Sequence, residues 1–417
     1  MTDYLYLQNH PKAFWRLEPD LPEDRWQAAI QQAIPILGLP GPPAEVKATL
    51  TSTLGEAQFG PDRWRLSRIR RIYYQIKPLF PRKVINLIQY FNARYATKTF
   101  PLHWSIEDRY ALFQWEIIRQ LARCMGTTSF NFRHFWPCGH KYAVILTHDI
   151  ETRRGQAFAG TVADLEERLG YRSSFNFVPE RYDLDQGLIH DLSQRGFEVG
   201  IHGLKHDGKL FCSKSVFMKR AERINRHLQA HDAVGFRSPL MQRNPEWLQA
   251  LQIEYDLSFF DTDPYQPMPG GCMSIWPFFI GHFVELPYTL AQDCTVCTIL
   301  GETTPRIWLE KLAFIESYCG MALLNTHPDY LREDKLWNMY AAFLDALAEK
   351  GDFWHALPHE AASWWRERHT TPTGHETPDM IPGTIELQKD ELVFSWTEFA
   401  VSNRVSSRET RSVTPQG

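Results

Sequence analysis

Polar residues that could bind a metal or move a proton follow four short apolar runs of this sequence. The run 143–146 leads into Thr-His-Asp-Ile-Glu at 147–151, and the run 199–201 leads into His-Gly-Leu-Lys-His at 202–206. The run 234–236 leads into Arg-Ser-Pro at 237–239, and the run 322–324 leads into Asn-Thr-His-Pro at 325–328. The carboxyl ends of parallel strands share one face in α/β barrels, so we expect these four groups to meet.

The residue types in these groups suit metal-assisted hydrolysis. His202 and His206 could place two imidazoles on one ion. One carboxylate from another strand end would complete a site that leaves positions open for water and substrate. Asp149 and Glu151 supply two carboxylates, of which one could bind the metal and the other could take a proton.

Two further residues fit the same chemistry. Arg237 could hold Asp149 ionised, and His327 could protonate a leaving amine. Each feature alone has a structural reading, since an arginine can form a plain ion pair and a histidine before a proline can belong to a turn. Four such features at four strand ends are much less easily accidental, which favours a catalytic site.

The central part of the chain predicts a parallel α/β fold, because short apolar runs alternate with amphipathic helical patterns. The helices are predicted at Val162–Leu169, Leu184–Arg195, Val216–His231 and Ile307–Tyr318. Seven strands are predicted, at Tyr142–Thr147, Ser173–Val178, Phe197–His202, Ala233–Arg237, Ile253–Phe259, Phe283–Tyr288 and Met321–Thr326.

The ordered motifs T-H-D-I-E, H-G-L-K-H, R-S-P and N-T-H-P resemble those of the polysaccharide deacetylases, the NodB-homology or carbohydrate esterase family 4 proteins. The resemblance is closest to a branch whose first motif reads T-H-D-[VI]-[DE], and S-F-N-F-V-P-E at 174–180 and F-F-D-T-D-P at 259–264 are similar to it too. It covers about residues 141–365. It implies a distorted (β/α)7 barrel.

The resemblance also implies a role for each motif residue. Asp149 matches the catalytic base, and Arg237 matches the arginine that orients it. His327 matches the general acid. His202 and His206 match the metal-binding histidines, and the implied cofactor is one divalent metal, zinc by default, with cobalt, iron or nickel also possible in such a site.

Three features depart from the common family pattern. The metal-binding carboxylate usually follows the base directly, but residue 150 is isoleucine, so Glu151 is expected to be the ligand. An aromatic residue often follows R-x-P, whereas Leu240 stands here. We expect Pro239 and Leu240 to contact substrate, with the Leu240 backbone N–H near the oxyanion. The usual D-x-x-D-W motif is not evident.

Outside the barrel the sequence predicts two flanking parts. Residues 1–140 are expected to form a mostly helical extension, residues 141–370 the catalytic barrel, and residues 371–417 a hairpin followed by a disordered tail. The stretch 63–83 carries eight Lys and Arg residues and no acid. It is either a solvated helix face or a contact for anionic membrane or a lipid-linked substrate. The aromatic loop 261–281 either packs on the barrel rim or stacks on sugars.

Composition limits the class of protein. The 417 residues are 43% hydrophobic and 23% charged, which is typical of a globular chain. The net charge of −4 excludes a nucleic-acid binder driven by bulk charge. Seven cysteines without framework spacing, together with an N-terminus that lacks an apolar signal segment, predict a cytoplasmic protein.

The sequence therefore predicts a metal-dependent hydrolase that removes an N-acyl group, by expectation acetyl, from a saccharide or saccharide precursor. Two alternatives stay open. One is a cytoplasmic amidase that acts on a non-sugar C–N bond with the same machinery. The other is a non-catalytic saccharide-binding protein, against which the presence of Asp149 and His327 counts.

Overall fold

The computed structural model of the chain describes residues 3–41, 45–61, 63–64, 97–372, 374–375, 377–388 and 391–396. Most of the basic stretch 63–83 lies outside these residues, and so do residues 84–95 of the extension that is expected to be mostly helical. The tail 397–417, for which the sequence predicts disorder, also lies outside them.

Parallel strands form the centre of the structure. Neighbouring strands follow the order Met321–Thr326, Tyr142–Ile150, Ser174–Phe177, Glu198–His202, Gly235–Arg237, Tyr255–Asp256 and Phe283–Glu285. Parallel bridges from Phe260 to Tyr288 and from Leu290 to Leu324 continue the curl toward the first strand. The fold is therefore the distorted (β/α)7 barrel that the sequence predicts. Two additional short strands are Phe278–Ile280, which is antiparallel to Phe283–Glu285, and Phe353–His355, which pairs with Tyr142–Ile150.

Helices connect the barrel strands, and several begin at side chains that accept a hydrogen bond from the first turn. Thr152, Asp185 and Ser213 serve as such N-caps. The four predicted barrel helices are all present. The helices of the barrel region are Arg153–Arg168, Gln186–Gln194, Lys214–Ala230, Pro245–Leu248, Arg306–Ser317, Pro328–Leu331, Asp334–Lys350 and Pro358–Thr370. Among the described residues, no helix is both long and apolar enough to cross a bilayer.

The flanking parts of the chain share a second sheet. The N-terminal part contributes the helices Pro11–Trp15, Glu23–Ala33, Val46–Thr53 and Arg109–Met125. The sheet is antiparallel, in the order Leu17–Glu18, Ser129–Arg133, Pro382–Gln388 and Glu391–Trp396. The last two strands form the hairpin that the alternation of apolar residues predicts. The division of the chain at residues 140 and 370 stays a prediction.

The aromatic loop 261–281 packs beneath the N-terminal part. Trp276 is 1% exposed and Phe278 and Phe279 are 2% exposed. The Trp276 ring lies 5.1 Å from that of Phe14 and 5.8 Å from that of Trp115, measured between centroids. These three rings belong to the core, which excludes them from sugar stacking and supports the packing interpretation.

Two buried carboxyl groups lie side by side at the ends of two adjacent barrel strands. Asp256 and Glu285 are register partners on adjacent parallel strands, and neither is exposed. Burial raises the pKa of Asp256 to about 6 and raises the pKa of Glu285 well above its ordinary value. The pair is therefore held at least partly protonated near neutral pH.

Candidate active site and metal centre

Asp149 is the last residue but one of the longest barrel strand, Tyr142–Ile150, and is surrounded by hydrogen-bond donors. Its side chain is buried, and its Oδ1 accepts from Asn176 Nδ2 at 3.2 Å and from Arg237 Nη1 at 3.2 Å. Its Oδ2 accepts from Asn325 Nδ2 at 2.9 Å. Side chains from three other barrel strands thus fix one carboxylate, as expected when the strand ends converge.

The charge of Asp149 is set by Arg237. Burial alone would raise the pKa of the Asp149 carboxyl, but the Arg237 guanidinium and the nearby imidazoles hold it well below its ordinary value. Arg237 is itself fully buried and is oriented by the Leu257 carbonyl at 3.0 Å, by Thr147 Oγ1 at 2.9 Å and by Asn325 Oδ1. Asp149 is therefore an anion at any physiological pH.

His327 directly follows the strand Met321–Thr326, faces Asp149 and is held by Asp293. Its Nε2 lies 3.9 Å from Asp149 Oδ2, and its Nδ1 lies 2.7 Å from Asp293 Oδ1. The other oxygen of Asp293 accepts from the His327 backbone N–H at 2.7 Å. Burial would lower the pKa of His327, but the charge and hydrogen bond of Asp293 raise it to about 10. The imidazole is therefore a cation near neutral pH.

Glu151, His202 and His206 form a cluster beside this pair. Each offers one nitrogen or oxygen, and these atoms all lie within 4.8 Å of one another. Glu151 Oε1 is 2.9 Å from His206 Nε2 and 3.9 Å from His327 Nε2. Burial would raise the pKa of Glu151, but the nearby His206 imidazole holds it well below its ordinary value. The structure brings together the residues that the sequence assigns to a metal.

The donor set fits a divalent metal. His202 Nδ1 lies 3.1 Å from the Arg237 carbonyl oxygen, which can only accept, so Nδ1 carries the proton and Nε2 keeps its lone pair. Burial lowers the pKa of His202 to about 4, which keeps the ring neutral as a ligand must be. His206 Nε2 is buried, and its contact with Glu151 lacks the alignment of a hydrogen bond, so no described residue satisfies it in that way. A metal ion would satisfy that nitrogen.

Pro239 and Leu240 lie on the turn that follows Arg237. Pro239–Met241 form a tight turn in which the Leu240 backbone is left-handed, with φ 58°. Pro239 packs on Gly203, where a Cβ would lie 2.3 Å from Pro239 Cγ. The absence of a side chain at residue 203 therefore lets the turn approach the histidine loop 202–206. Contact of Pro239 and Leu240 with substrate stays a prediction.

His148 precedes Asp149 in the first motif, but its side chain belongs to a buried hydrogen-bond network that connects elements of the barrel. Its ring contacts Thr326 Oγ1 at 2.7 Å through Nδ1 and Glu166 Oε1 at 2.7 Å through Nε2. Glu166 also accepts from Ser173 Oγ at 2.6 Å and from the Tyr340 hydroxyl. This buried network connects the strand Tyr142–Ile150 to the helix Arg153–Arg168 and to the strand Met321–Thr326.

Sequence reasoning missed Asp293, Asn325 and Asn176. Asn325 stands in the quoted N-T-H-P motif, and Asn176 stands in the quoted S-F-N-F-V-P-E stretch, so both had a signal without an assigned role. Asp293 directly precedes the C-T-V-C segment and follows no long strand.

No protein-family model matches the chain, and no curated protein is similar to it in sequence. Solved structures are similar in fold. A protein titled as a polysaccharide deacetylase from Mycobacterium smegmatis has a TM-score of 0.47 at 18% identity, over 58% of this chain and 96% of its own. Puue allantoinase has a TM-score of 0.45 at 11% identity, over 58% and 94%.

A third solved structure is a CE4 family pseudoenzyme from Bacillus anthracis. Its TM-score is 0.36 at 14% identity, over 54% of this chain and 66% of its own. Two of the three structures carry names from the family that the motifs resemble. Because all three TM-scores are below 0.5, the barrel is assigned here from its own strand order and register.

Proposed function

We propose that this protein is a metal-dependent hydrolase that removes an N-acyl group, with acetyl as the first candidate, from a saccharide or saccharide precursor. The observation that supports it is that two buried ion pairs lie beside the cluster of Glu151, His202 and His206. Asp149 is held as an anion by Arg237, and His327 is held as a cation by Asp293. These are the protonation states that a base and an acid need at the start of amide hydrolysis.

The cluster of Glu151, His202 and His206 would hold the metal, with zinc as the default ion. A divalent metal bound there would polarise the acyl carbonyl and make a water molecule more acidic. Among the described residues, Asp149 Oδ2 accepts only one hydrogen bond, from Asn325, so a lone pair remains to take a proton from water. The backbone N–H of Leu240 is assigned to the developing oxyanion.

His327 then completes the reaction by giving a proton to the departing nitrogen. Its Nδ1 faces Asp293, so Nε2 is the nitrogen that can donate into the site. Nε2 also faces Asp149 Oδ2 and Glu151 Oε1, each at 3.9 Å, and this proximity supports a proton-donating role beside the base. After transfer the imidazole is neutral, and Asp149 holds the water proton that returns it to the cationic state.

One experiment tests the whole proposal. The purified chain is analysed for metal and then assayed for acetate release from a panel of N-acetylated saccharides, alongside small linear and cyclic amides. We expect one divalent ion per chain, and acetate release that is lost in His327→Ala. The control is His190→Ala, which changes an exposed histidine on the helix Gln186–Gln194.

The outcomes separate the candidate functions. Turnover of the non-sugar amides alone would replace the saccharide substrate with the amidase function. Metal and saccharide binding without any turnover would identify a non-catalytic binding protein. A chain that neither contains metal nor takes it up on dialysis would refute the proposal.

The expected compartment is the cytoplasm, and residues 63–83 are the segment in which to seek a contact with anionic lipid.

A further inference from the structure

Asp329 lies two residues after His327, and its side chain reaches across to the first motif. Its Oδ2 accepts a hydrogen bond from the backbone N–H of Glu151 at 3.1 Å. Its Oδ1 accepts from the hydroxyl of Thr152. The Asp329 carboxylate therefore binds both Glu151, the expected metal ligand, and Thr152, the next residue.

The position of Asp329 is favourable for an anion. Thr152 caps the helix Arg153–Arg168, and its Oγ1 also accepts from the Arg154 and Gly155 backbone N–H groups. The positive end of this helix dipole therefore lies beside the Asp329 carboxylate. Asp329 is half-buried, so the interactions are only partly screened by water.

Gly155 provides the space that the Asp329 carboxylate occupies. A Cβ at residue 155 would lie 2.2 Å from Asp329 Oδ2 and 2.6 Å from its Cγ. Oδ2 is the same oxygen that binds the Glu151 N–H. A methyl group there would have to displace the carboxylate from Glu151 without changing any charge.

We propose that Asp329 is a positioning residue for Glu151, which it fixes where the Glu151 carboxylate meets His206. The inference rests on the proposed function, in which Glu151 binds the metal. It explains how a glutamate two residues beyond Asp149 serves as ligand. Glu151 lies between the end of its strand and the helix Arg153–Arg168, so its longer side chain has to extend back toward His206. Asp329, which follows the same strand end as His327, fixes the backbone at this point.

The test measures cobalt affinity of the folded, full-length chain by competition with a chromophoric chelator, together with the visible spectrum of bound cobalt. Partners that orient metal ligands typically change affinity by about 10–100-fold. We expect Asp329→Asn and Gly155→Ala each to weaken cobalt binding by about that factor and to alter the cobalt spectrum. The unfolding midpoint of each metal-free variant is measured in parallel.

Gly160→Ala is the matched control. Gly160 lies in the same helix, and a Cβ there would meet nothing within 4 Å. It should leave cobalt affinity unchanged. Alanine has a higher helix propensity than glycine in both variants, so weaker metal binding by Gly155→Ala cannot come from a loss of helix propensity.

Cobalt affinity and spectra of Asp329→Asn and Gly155→Ala that equal those of the unsubstituted chain would overturn the inference. Weakening by Gly155→Ala alone would support it even if Asp329→Asn failed to fold. Failure of the unsubstituted chain to bind cobalt or zinc would refute the metal site of the proposed function, and the inference would fall with it.

Discussion

Replacing Asp149 by asparagine tests the base and its charge partner together. All three groups that contact the carboxylate are donors, namely Asn176 Nδ2, Arg237 Nη1 and Asn325 Nδ2. An asparagine can turn its oxygen toward Asn176 and Arg237, but its NH2 group then faces the NH2 group of Asn325. The variant loses one hydrogen bond and leaves Arg237 without its ionic partner.

The expected cost follows from the burial of these groups. Arg237 is fully buried and Asp149 is 1% exposed. Breaking a buried ion pair by removing one partner typically costs about 3–5 kcal/mol. Arg237 keeps its contacts with Thr147, Asn325 and the Leu257 carbonyl, so we expect the lower end, about 3 kcal/mol, for Asp149→Asn. Hydrolysis should fall by at least about 10²-fold, because an amide cannot accept the proton.

A compensating change separates stability from catalysis. In the double variant Asp149→Asn/Asn325→Asp, the new carboxylate at residue 325 stands where Arg237 Nη1 and Thr147 Oγ1 already donate. It can also accept from the new side-chain amide at residue 149, so the hydrogen bond between the two residues is reversed. We expect most of the lost stability to return while hydrolysis stays absent, because the carboxylate has moved from the position that faces His327.

Urea unfolding, acetate release and metal content are compared for both single variants and the double variant. Asn325→Asp alone should be destabilised, since it places two carboxylates beside one arginine. Recovery of hydrolysis by the double variant would refute the assignment of Asp149 as the base. An unchanged unfolding midpoint in Asp149→Asn would refute the energetic role of its pairing with Arg237.

Three further predictions concern the acid, the ligand and the buried carboxyl pair. His327→Ala should lower turnover by about 10²–10⁴-fold with metal content intact; an equal loss of metal, measured by elemental analysis, would make His327 a ligand. Glu151→Gln should weaken metal binding, with activity partly restored by excess zinc; full activity at stoichiometric zinc would exclude it as the ligand. The raised pKa values of Asp256 and Glu285 mean that the folded state retains protons that the unfolded chain releases, so stability should fall as pH rises from about 4 through the folded pKa values at about 6 and above. Glu285→Gln should flatten that decline in urea unfolding measured upward from about pH 4, and an unchanged pH profile would contradict the shared burial of the two carboxyl groups.

The catalytic half of the site could be predicted because its residues follow strands that are recognisable by themselves. The run that ends at Thr326 was predicted with the bounds that the structure has. The strands near 255 and 284 are shorter than predicted. Beyond the first of them, the Phe259 N–H donates to the Glu285 side chain at 3.0 Å and not to a backbone carbonyl.

The supporting half of the site could not be predicted for a physical reason. Asp293 acts on His327 from 34 residues earlier in the chain, and it precedes a short helical turn with no periodic pattern. Asp329 and Gly155 are related only by the space that one leaves for the other. Such relations depend on tertiary packing, which the spacing of residues along the chain does not record.

The antiparallel sheet that joins the two ends of the chain has a consequence for biosynthesis. The strand Ser129–Arg133 pairs on one edge with only the two residues Leu17–Glu18, while its longer partner, Pro382–Gln388, lies roughly 250 residues later. At about 5–20 residues per second, the ribosome delivers that partner on the order of ten to fifty seconds afterwards. During this interval Phe130 and Phe132 stand on an open edge that other chains can pair with. A chain cut between residues 371 and 381 should therefore aggregate even though its barrel is complete.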